Sequence, residues 1–426
     1  MKNRGIVRMG SIIVVVISFF ISTTMAMGFE NRSIADSVFA VKDSLNSTKI
    51  IIEQAKKPAL SFSGYFDTYY FGNFNNPSTR DNLGSSGISR GFDRYVGQFQ
   101  LGMVMAHMGY SYKNAELVTE LGWGPNISYA SYGSNPGYRF GSLLARNTST
   151  SVFIKQAYIN YKPTDKFTIT MGQFGTHIGY EVIDAPLNFH YSINNTFNAG
   201  IPFYHLGLKG TYAPNENVSL MAGLVNGTDN INDNNRAKSF IGQIALTPAK
   251  DLKVYINTIQ GNEANARANG KDTTSYFGII DFSSTYQVSS RLQLSAWLMY
   301  GSLKGEYQGG RYSPTMIHWS GENLYTQYRL NKSLIVGTRL EHFDNSSGAR
   351  PLLTNGLGTS VNSITLTANV SLADDTLILK PELRIDSFQK MRGPNNEVQP
   401  QQFVDSNGNF TKNSQTTLGM AAIFKF

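Results

Sequence analysis

From residue 60 to the end of the chain, apolar and polar side chains alternate with a period of two. In the last segment, Leu418, Met420 and Phe424 occupy one set of alternating positions, while Thr417, Gly419 and Lys425 belong to the other set. Residues 363–372 alternate polar and apolar side chains without a break. A period of two places neighbouring side chains on opposite faces of a β-strand. The pattern predicts an all-β protein.

Sixteen segments have this period, and the connections between them alternate between tight turns and longer loops rich in Asn, Gly and Ser. Short turns at one end, long loops at the other and an even strand number are typical of outer-membrane barrels. A soluble β-sandwich has no reason to keep that asymmetry. We therefore expect a transmembrane antiparallel up-and-down β-barrel of about 16 strands, with lipid outside and a wet, polar lumen inside. The predicted strands are about 61–74, 95–112, 115–124, 150–162, 165–176, 203–213, 217–228, 237–248, 251–261, 273–288, 291–304, 315–330, 333–344, 360–373, 376–389 and 414–426.

The N-terminus has the organisation of a secretory signal peptide. Basic residues (Lys2, Arg4 and Arg8) precede the apolar run 12–21, and Thr24-Met25-Ala26 supplies small residues for cleavage after Ala26. We predict a cleaved signal peptide at 1–26 and export to the outer membrane. An uncleaved anchor helix is the alternative.

Residues 27–59 form a separate segment before the predicted barrel at 60–426. Ile34, Val38, Val41 and Leu45 follow a spacing of four and three, which predicts a short N-terminal amphipathic helix that ends near Pro58. It could serve as a periplasmic stalk or pack against the barrel. A partly ordered leader is an equal alternative, because so short an isolated helix is marginal in water.

Composition narrows the function further. Only 15% of the 426 residues are charged, yet no apolar run after residue 30 approaches the roughly 18 residues that a membrane-spanning helix needs. The chain has no Cys, which excludes disulfides, Cys-based zinc sites and thiol catalysis. Loss of three basic residues with the signal peptide lowers the net charge from +8 to about +5, without basic runs. Nucleic acid is not an expected partner.

Several short motifs resemble the Gram-negative outer-membrane family called putative beta-barrel porin-2, over residues 60–426. The resemblance implies a barrel in contact with outer-membrane lipid that passes small hydrophilic solutes or ions by passive diffusion, without naming the solute. Analogy with general porins suggests a homotrimer. The motifs are Gln156-Ala157-Tyr158, Gly172-Gln173-Phe174-Gly175-Thr176, Gly179-Tyr180-Glu181-Val182-Ile183-Asp184, Asn188, Tyr191-Ser192, Pro202-Phe203-Tyr204-His205-Leu206-Gly207 and Arg339-Leu340-Glu341-His342-Phe343.

Charged side chains on the inward strand positions are the candidate pore lining, because wall charges select permeant ions through the local field. An outward position is unfavourable, since a charge at the bilayer midplane costs about 2–4 kcal/mol. Alternatively, these side chains form salt bridges that brace the wall. The candidates are Lys209, Arg329, Arg339, Glu341, Lys380, Glu382 and Arg384.

The third long loop, about 177–202, is the candidate constriction. Barrels of sixteen strands leave an aqueous channel, and in the general porins that this fold resembles the third loop folds inward to narrow it. Here it would bring His177, Glu181 and Asp184 into the lumen, where the acids would face basic wall residues and set a transverse field. The alternative is a surface loop in which Glu181 binds its own backbone.

Other functions have weaker support. None of the six His lies in a recognisable nucleophile motif, so we expect no enzyme. A non-conducting barrel that acts as an adhesin or a structural surface protein is the main alternative to a porin. Asp405-Ser406-Asn407-Gly408-Asn409 resembles a calcium loop but lacks its Gly and Glu, and 229–235 is an Asn-rich turn. We expect no metal and no cofactor.

Overall fold

The computed structural model describes residues 58–130, 152–265, 274–308, 311–393 and 395–426. The predicted signal peptide and nearly all of the predicted helical segment 27–59 lie outside these residues, so both stay predictions. Neither helix in the described part of the chain has the length and hydropathy needed to cross a membrane.

Strands dominate the described residues, together with two six-residue helices, α1 (Pro125–Ala130) and α2 (Asn195–Gly200). In chain order the strands are β1 Ala59–Asn73, β2 Phe99–Tyr112, β3 Ala115–Trp123, β4 Val152–Thr164, β5 Phe167–Gly175, β6 Tyr204–Asn215, β7 Val218–Val225, β8 Ser239–Ala249, β9 Leu252–Gly261, β10 Tyr276–Gln287, β11 Leu292–Tyr307, β12 Arg311–Arg329, β13 Leu334–Asn345, β14 Leu353–Thr354, β15 Leu357–Leu372, β16 Leu377–Phe388 and β17 Ser414–Lys425.

The sheet closes on itself as a barrel. Each long strand pairs antiparallel with its neighbours, and β1 pairs with both β2 and β17, with Tyr65 opposite Lys425 at the seam. The two-residue β14 pairs only with the start of β15 and stays outside the ring. Sixteen strands therefore form the wall, which confirms the predicted fold class and strand number.

The connections have the predicted asymmetry. At one end, which we call the short-turn end, two residues (Lys113 and Asn114) join β2 to β3, and four residues join β15 to β16. The second of these turns has positive φ at Ala373, Asp374 and Asp375, and Asp tolerates that conformation better than most residues. At the long-loop end, loop 1 (residues 74–98) and loop 3 (residues 176–203) are much longer.

Alternation along each strand separates an outward apolar face from an inward face. Leu340 and Leu418 point outward and remain about half exposed, as lipid-facing residues of an isolated barrel should. Their neighbours Arg339 and Thr417 point inward and are fully buried. The face that each strand residue occupies thus follows from the period of two in the sequence.

The inward face is not uniformly polar, because it also carries apolar side chains that the sequence analysis did not predict. Trp297, Trp319 and Phe343 point inward and form an apolar cluster with Phe92 of loop 1 and Phe197 of α2, within loop 3. Because these loops enter the barrel and cover the apolar side chains, the chain buries them without exposing them to water.

Candidate functional site in the barrel interior

Loop 3 crosses the inside of the barrel. It leaves the wall at β5 and returns at β6, yet it makes several hydrogen bonds with β13 and β16, on the opposite side of the ring. The clearest of them joins Glu181 to Arg339 of β13, with Arg339 Nη1 donating to Glu181 Oε1 at 2.6 Å. The sequence pattern predicted an inward position for both side chains, and the structure brings them together.

The Glu181 carboxylate is buried and has several donors. Besides Arg339, the backbone N–H of Asn194 donates to Oε2 at 2.8 Å, and the Tyr325 hydroxyl donates to Oε1 at 3.3 Å. Burial raises the pKa of Glu181, and the Arg339 guanidinium opposes that shift. In the sequence analysis, the alternative to a constriction is a surface loop in which Glu181 binds its own backbone. Glu181 does bind the backbone of its own loop, at Asn194, but it does so inside the barrel, where the bond links two parts of loop 3.

Two wall carboxylates hold the backbone of loop 3. Glu382 of β16 accepts from the N–H groups of Tyr191 at 2.8 Å and Ser192 at 3.1 Å. Glu341 of β13 accepts from the N–H of Thr196, in the first turn of α2, at 2.8 Å. Each carboxylate thus satisfies backbone donors that loop 3 cannot pair internally.

Two wall cations bind loop 3 carbonyls in the same region. Arg384 Nη1 donates to the carbonyl of Ile193 at 2.7 Å, and Lys380 Nζ donates to the carbonyl of Ala185 at 2.8 Å. Like Arg339, both side chains are fully buried. Five of the seven candidate pore-lining residues therefore lie inward but beneath loop 3. Their role as pore lining stays a prediction. The contacts that they make in the structure hold loop 3 against the wall.

Asp184 anchors the other side of loop 3. Lys155 of β4 donates to Asp184 at 2.6 Å and to Glu120 of β3 at 2.8 Å, so one ammonium bridges two carboxylates. The hydroxyl of Tyr65 in β1 donates to Asp184 at 3.1 Å. Loop 3 is thereby tied to β1 and β4 as well as to β13 and β16.

His177, the third residue predicted for the constriction, lies at the start of loop 3. Its Nε2 is 3.0 Å from the carbonyl oxygen of Thr258 in β9, so this nitrogen carries the proton. Burial, together with the neighbouring His205, lowers the pKa of His177 to about 3. His177 is consequently neutral at physiological pH and adds no charge to the lumen.

The two remaining pore-lining candidates lie away from these anchors. The Lys209 ammonium in β6 sits 4.3 Å from the centre of the Phe174 ring, a cation–π contact. Arg329 is the last residue of β12, at the short-turn end. Both residues are only partly buried, in contrast to Arg339, Lys380 and Arg384.

Loop 1 also enters the barrel, which the sequence analysis missed. Arg90 pairs with Asp93 of its own loop and donates to Asp386 of β16 at 3.0 Å. The Phe92 ring packs edge-on against Phe203, with the ring centres 5.7 Å apart. The one sequence feature that could have indicated this inward position is the presence of Arg90 and Asp93 on either side of Phe92. Surface loops contain such residues as well.

The described residues hold no group of three His, Asp or Glu side chains arranged to bind a metal ion. In the segment that resembles a calcium loop, Asp405 Oδ1 accepts from the backbone N–H groups of Asn407 at 2.9 Å and Asn409 at 3.0 Å. These are turn contacts, in which an Asp side chain stabilises its own loop.

The family model described as "Putative beta-barrel porin-2, OmpL-like" matches residues 59–426. The chain belongs to this family. No curated protein sequence matches the chain significantly. Porin family and barrel together indicate a channel protein rather than an enzyme, in agreement with the sequence analysis.

Solved structures of outer-membrane proteins share the fold at low sequence identity. The outer-membrane channel DcaP of Acinetobacter baumannii is similar with a TM-score of 0.53 and 10% identity, over 87% of this chain and 99% of the other. The anion-selective porin from Comamonas acidovorans has a TM-score of 0.52 and 11% identity, over 87% and 100%. OmpT of Vibrio cholerae in its trimer form has the same four values. Family and neighbours alike are outer-membrane proteins.

Proposed function

We propose that this protein is an outer-membrane porin through which small hydrophilic solutes and ions diffuse passively, and that loop 3 narrows its lumen. The observation that carries the proposal is the attachment of loop 3 to the far wall through Glu181, Glu341 and Glu382. A loop that crosses a barrel of this size and is held at both sides reduces the open cross-section of the lumen.

The accessibility of the inward side chains supports a solute path along one side of the lumen. The inward residues Lys209 and Thr211 of β6 and Gln243 of β8 are partly exposed, whereas the charged inward residues of β13 and β16 are buried. Water and ions can reach only the first group. We therefore place the path beside β6–β8, with loop 3 forming its opposite boundary.

Single-channel conductance in planar bilayers, combined with liposome swelling by sugars of increasing size, tests the proposal. The variant Glu341→Gln/Glu382→Gln removes the charged acceptors of the loop 3 backbone, so we expect a larger or noisier conductance and a higher size limit. Glu116→Gln is the matched control, because Glu116 also points inward but binds Asn160 of β4 rather than loop 3. A narrowing role is contradicted when the anchor variant keeps the conductance and size limit of the wild type.

A non-conducting barrel with a surface role is the second candidate. The observation that favours it is the burial of Arg339, Lys380 and Arg384 beneath loop 3, with loop 1 filling the adjacent space. Folded protein that inserts into bilayers without any conductance would support this candidate over a porin. We also propose a homotrimer, by analogy with the trimer form of OmpT, and native mass spectrometry in detergent would test it.

A further inference from the structure

We propose that inward basic side chains at the short-turn end form a ring that makes the pore selective for anions. The basic ring consists of Lys162, Lys253, Arg329 and Lys425. This inference rests on the porin function proposed above and adds the class of solute. Rings of Lys and Arg are the usual device of pores that pass anions or phosphate compounds.

The strand register places two of these side chains inside the barrel. Lys425 of β17 lies opposite Tyr65, an inward residue that binds Asp184 of loop 3. Lys253 of β9 lies opposite Thr285, which in turn lies opposite Ser295, whose hydroxyl accepts from Tyr180 of loop 3. Because residues directly opposite in an antiparallel sheet share a face, Lys253 and Lys425 point inward.

The other two follow from alternation along their own strands. Arg329 comes four residues after Tyr325 of β12, which binds Glu181 inside the barrel. Lys162 comes two residues after Asn160 of β4, which donates to the inward Glu116. The register with β5 shifts between Tyr161 and Thr164, but the Lys162 N–H donates to the Asn114 carbonyl and so continues the pairing with β3. An even separation within a strand keeps the side chain on the same face.

The ring lies at one level and is spread around the wall. Arg329 and Lys425 end β12 and β17 at the short-turn end, Lys253 is the second residue of β9, and Lys162 is two residues from the end of β4. These four strands are distributed around the barrel order rather than adjacent to one another. An ion entering from this end therefore meets positive charge on several sides.

Negative charge at this level is too scarce to cancel the ring. Among the described inward residues nearest the short-turn end, Glu116 is the one carboxylate, and it accepts from Asn160 at 2.8 Å. The turns carry as many acids as bases, so they add no net charge. The acids are Asp165, Glu216, Asp251, Asp374 and Asp375, and the bases are Lys113, Lys166, Lys250, Arg291 and Lys332.

The charges deeper in the barrel do not compete with the ring either. Glu181, Asp184 and Glu382 are bound by wall cations or by backbone N–H groups within about hydrogen-bond distance, and closely paired charges produce little field at a distance. In the described residues, the ammonium of Lys162 is itself buried and has no hydrogen-bond partner, with Glu116 and Asp165 as its charged neighbours. Lys253, Arg329 and Lys425 are therefore the ring members that entering ions can reach. The field at this mouth is thus set by the ring, and low-dielectric walls strengthen its effect on entering ions.

Reversal potentials in a KCl gradient test the inference. We expect the wild-type channel to prefer chloride over potassium, and the variant Lys162→Gln/Lys253→Gln/Arg329→Gln/Lys425→Gln to lower that preference by about threefold or more. Lys304→Gln is the matched control, because Lys304 is exposed and lies opposite the outward Tyr276. Its preference should equal that of the wild type.

The pair Lys253→Glu/Lys425→Glu provides a second variant in case the fourfold change prevents folding, and it should shift the preference toward potassium. Folding of each variant is checked by heat-dependent gel migration. A wild-type channel that prefers potassium, or ring variants with unchanged selectivity, overturns the ring while leaving the porin intact. Folded wild-type protein without conductance overturns the porin function itself, and the ring with it.

Discussion

The Arg339 guanidinium and the Glu181 carboxylate, 158 positions apart in the chain, form a buried ion pair with 2.6 Å between Nη1 and Oε1. This pair ties the middle of a long loop to a strand on the far side of the barrel. A buried ion pair contributes uncertain net stability, because desolvation of both charges offsets their attraction. Its clearer consequence is positional, since each partner is costly to leave alone and loop 3 is therefore held against β13.

Removing one partner of this ion pair should lower the free energy of unfolding. Glu181→Gln leaves the Arg339 charge buried without its carboxylate, and we expect the free energy of unfolding to fall by about 3–5 kcal/mol or loop 3 to leave the lumen. Urea unfolding in detergent, with limited proteolysis of loop 3, measures both outcomes. Asp233→Asn is the control, because it removes an ion pair in which the Lys238 side chain is 45% exposed, and it should cost less than about 1 kcal/mol. Equal losses for the two variants would contradict the special role of the buried pair.

The same carboxylates bear on ion selectivity. The transverse field expected from Glu181 and Asp184 stays a prediction. The cations that pair with these two acids determine in which direction the permeability ratio should change when the acids are replaced. Glu181→Asn/Asp184→Asn leaves Arg339 and Lys155 with fewer negative neighbours, so we expect the permeability ratio to move toward anions. Reversal potentials in planar bilayers measure this ratio, and an unchanged ratio would refute a role of these acids in permeation.

We expect stability to depend on pH at the place where the loop between β7 and β8 contacts the start of β6. Asp229 accepts from the backbone N–H groups of Phe203 at 2.6 Å and Tyr204 at 3.2 Å. Burial raises the pKa of Asp229 from 3.8 to about 7. Because the folded state binds the proton more tightly than the unfolded state, the buried carboxyl group of Asp229 contributes most to stability below pH 4. As the pH rises to about 7 the group ionises, and the cost of burying its charge lowers this contribution by about a few kcal/mol, although the two N–H donors favour the charged form.

Asp229→Asn should remove that dependence while keeping an oxygen acceptor. Protection factors of the Phe203 and Tyr204 amides against hydrogen exchange, measured between pH 4 and 8, compare the two proteins. Glu263, whose pKa is also raised by burial, binds Thr228 instead of these amides. The assignment to Asp229 fails when both proteins show the same change in protection with pH.

The barrel could be predicted from the sequence because its causes are local. The period of two, the turn residues and the alternation of connection lengths are each visible within a few residues, and they placed Lys380, Glu382 and Arg384 on the inward face of β16 as observed. The observed strand limits differ from the predicted ones by a few residues. The largest shifts, of four residues each, came at β2, which starts at Phe99 rather than near 95, and at β12, which starts at Arg311 rather than near 315.

The packing inside the barrel could not be predicted in the same way. Which groups Glu382 binds depends on the conformation of loop 3, because its donors are backbone N–H groups that any residue could supply. Loop 1 shows the same limit, since Arg90 finds Asp386 only once both loops are folded. Long-range contacts of this kind leave no periodic signal in the chain.

Closure of the barrel depends on a small residue at the seam. Gly64 exchanges backbone hydrogen bonds with Phe426, N–H to O at 2.9 Å in one direction and 3.1 Å in the other. A Cβ at Gly64 would overlap the carbonyl oxygen of Met105 and lie 2.7 Å from the Phe426 ring. A side chain here must therefore displace either β2 or the C-terminal residue.

We expect Gly64→Val to lower the free energy of unfolding by about 1–3 kcal/mol through overpacking, with a larger fraction of unclosed barrel on refolding. Heat-dependent gel migration separates closed from unfolded protein, and urea titration in detergent gives the midpoint. Gly72→Val is the matched control in the same strand, because its Cβ would approach only the Leu418 carbonyl oxygen, at 3.7 Å. A lower midpoint for Gly64→Val than for Gly72→Val locates the sensitivity at the seam, since both changes add the same β-branched side chain to β1. Equal midpoints would show that the seam accommodates the added bulk.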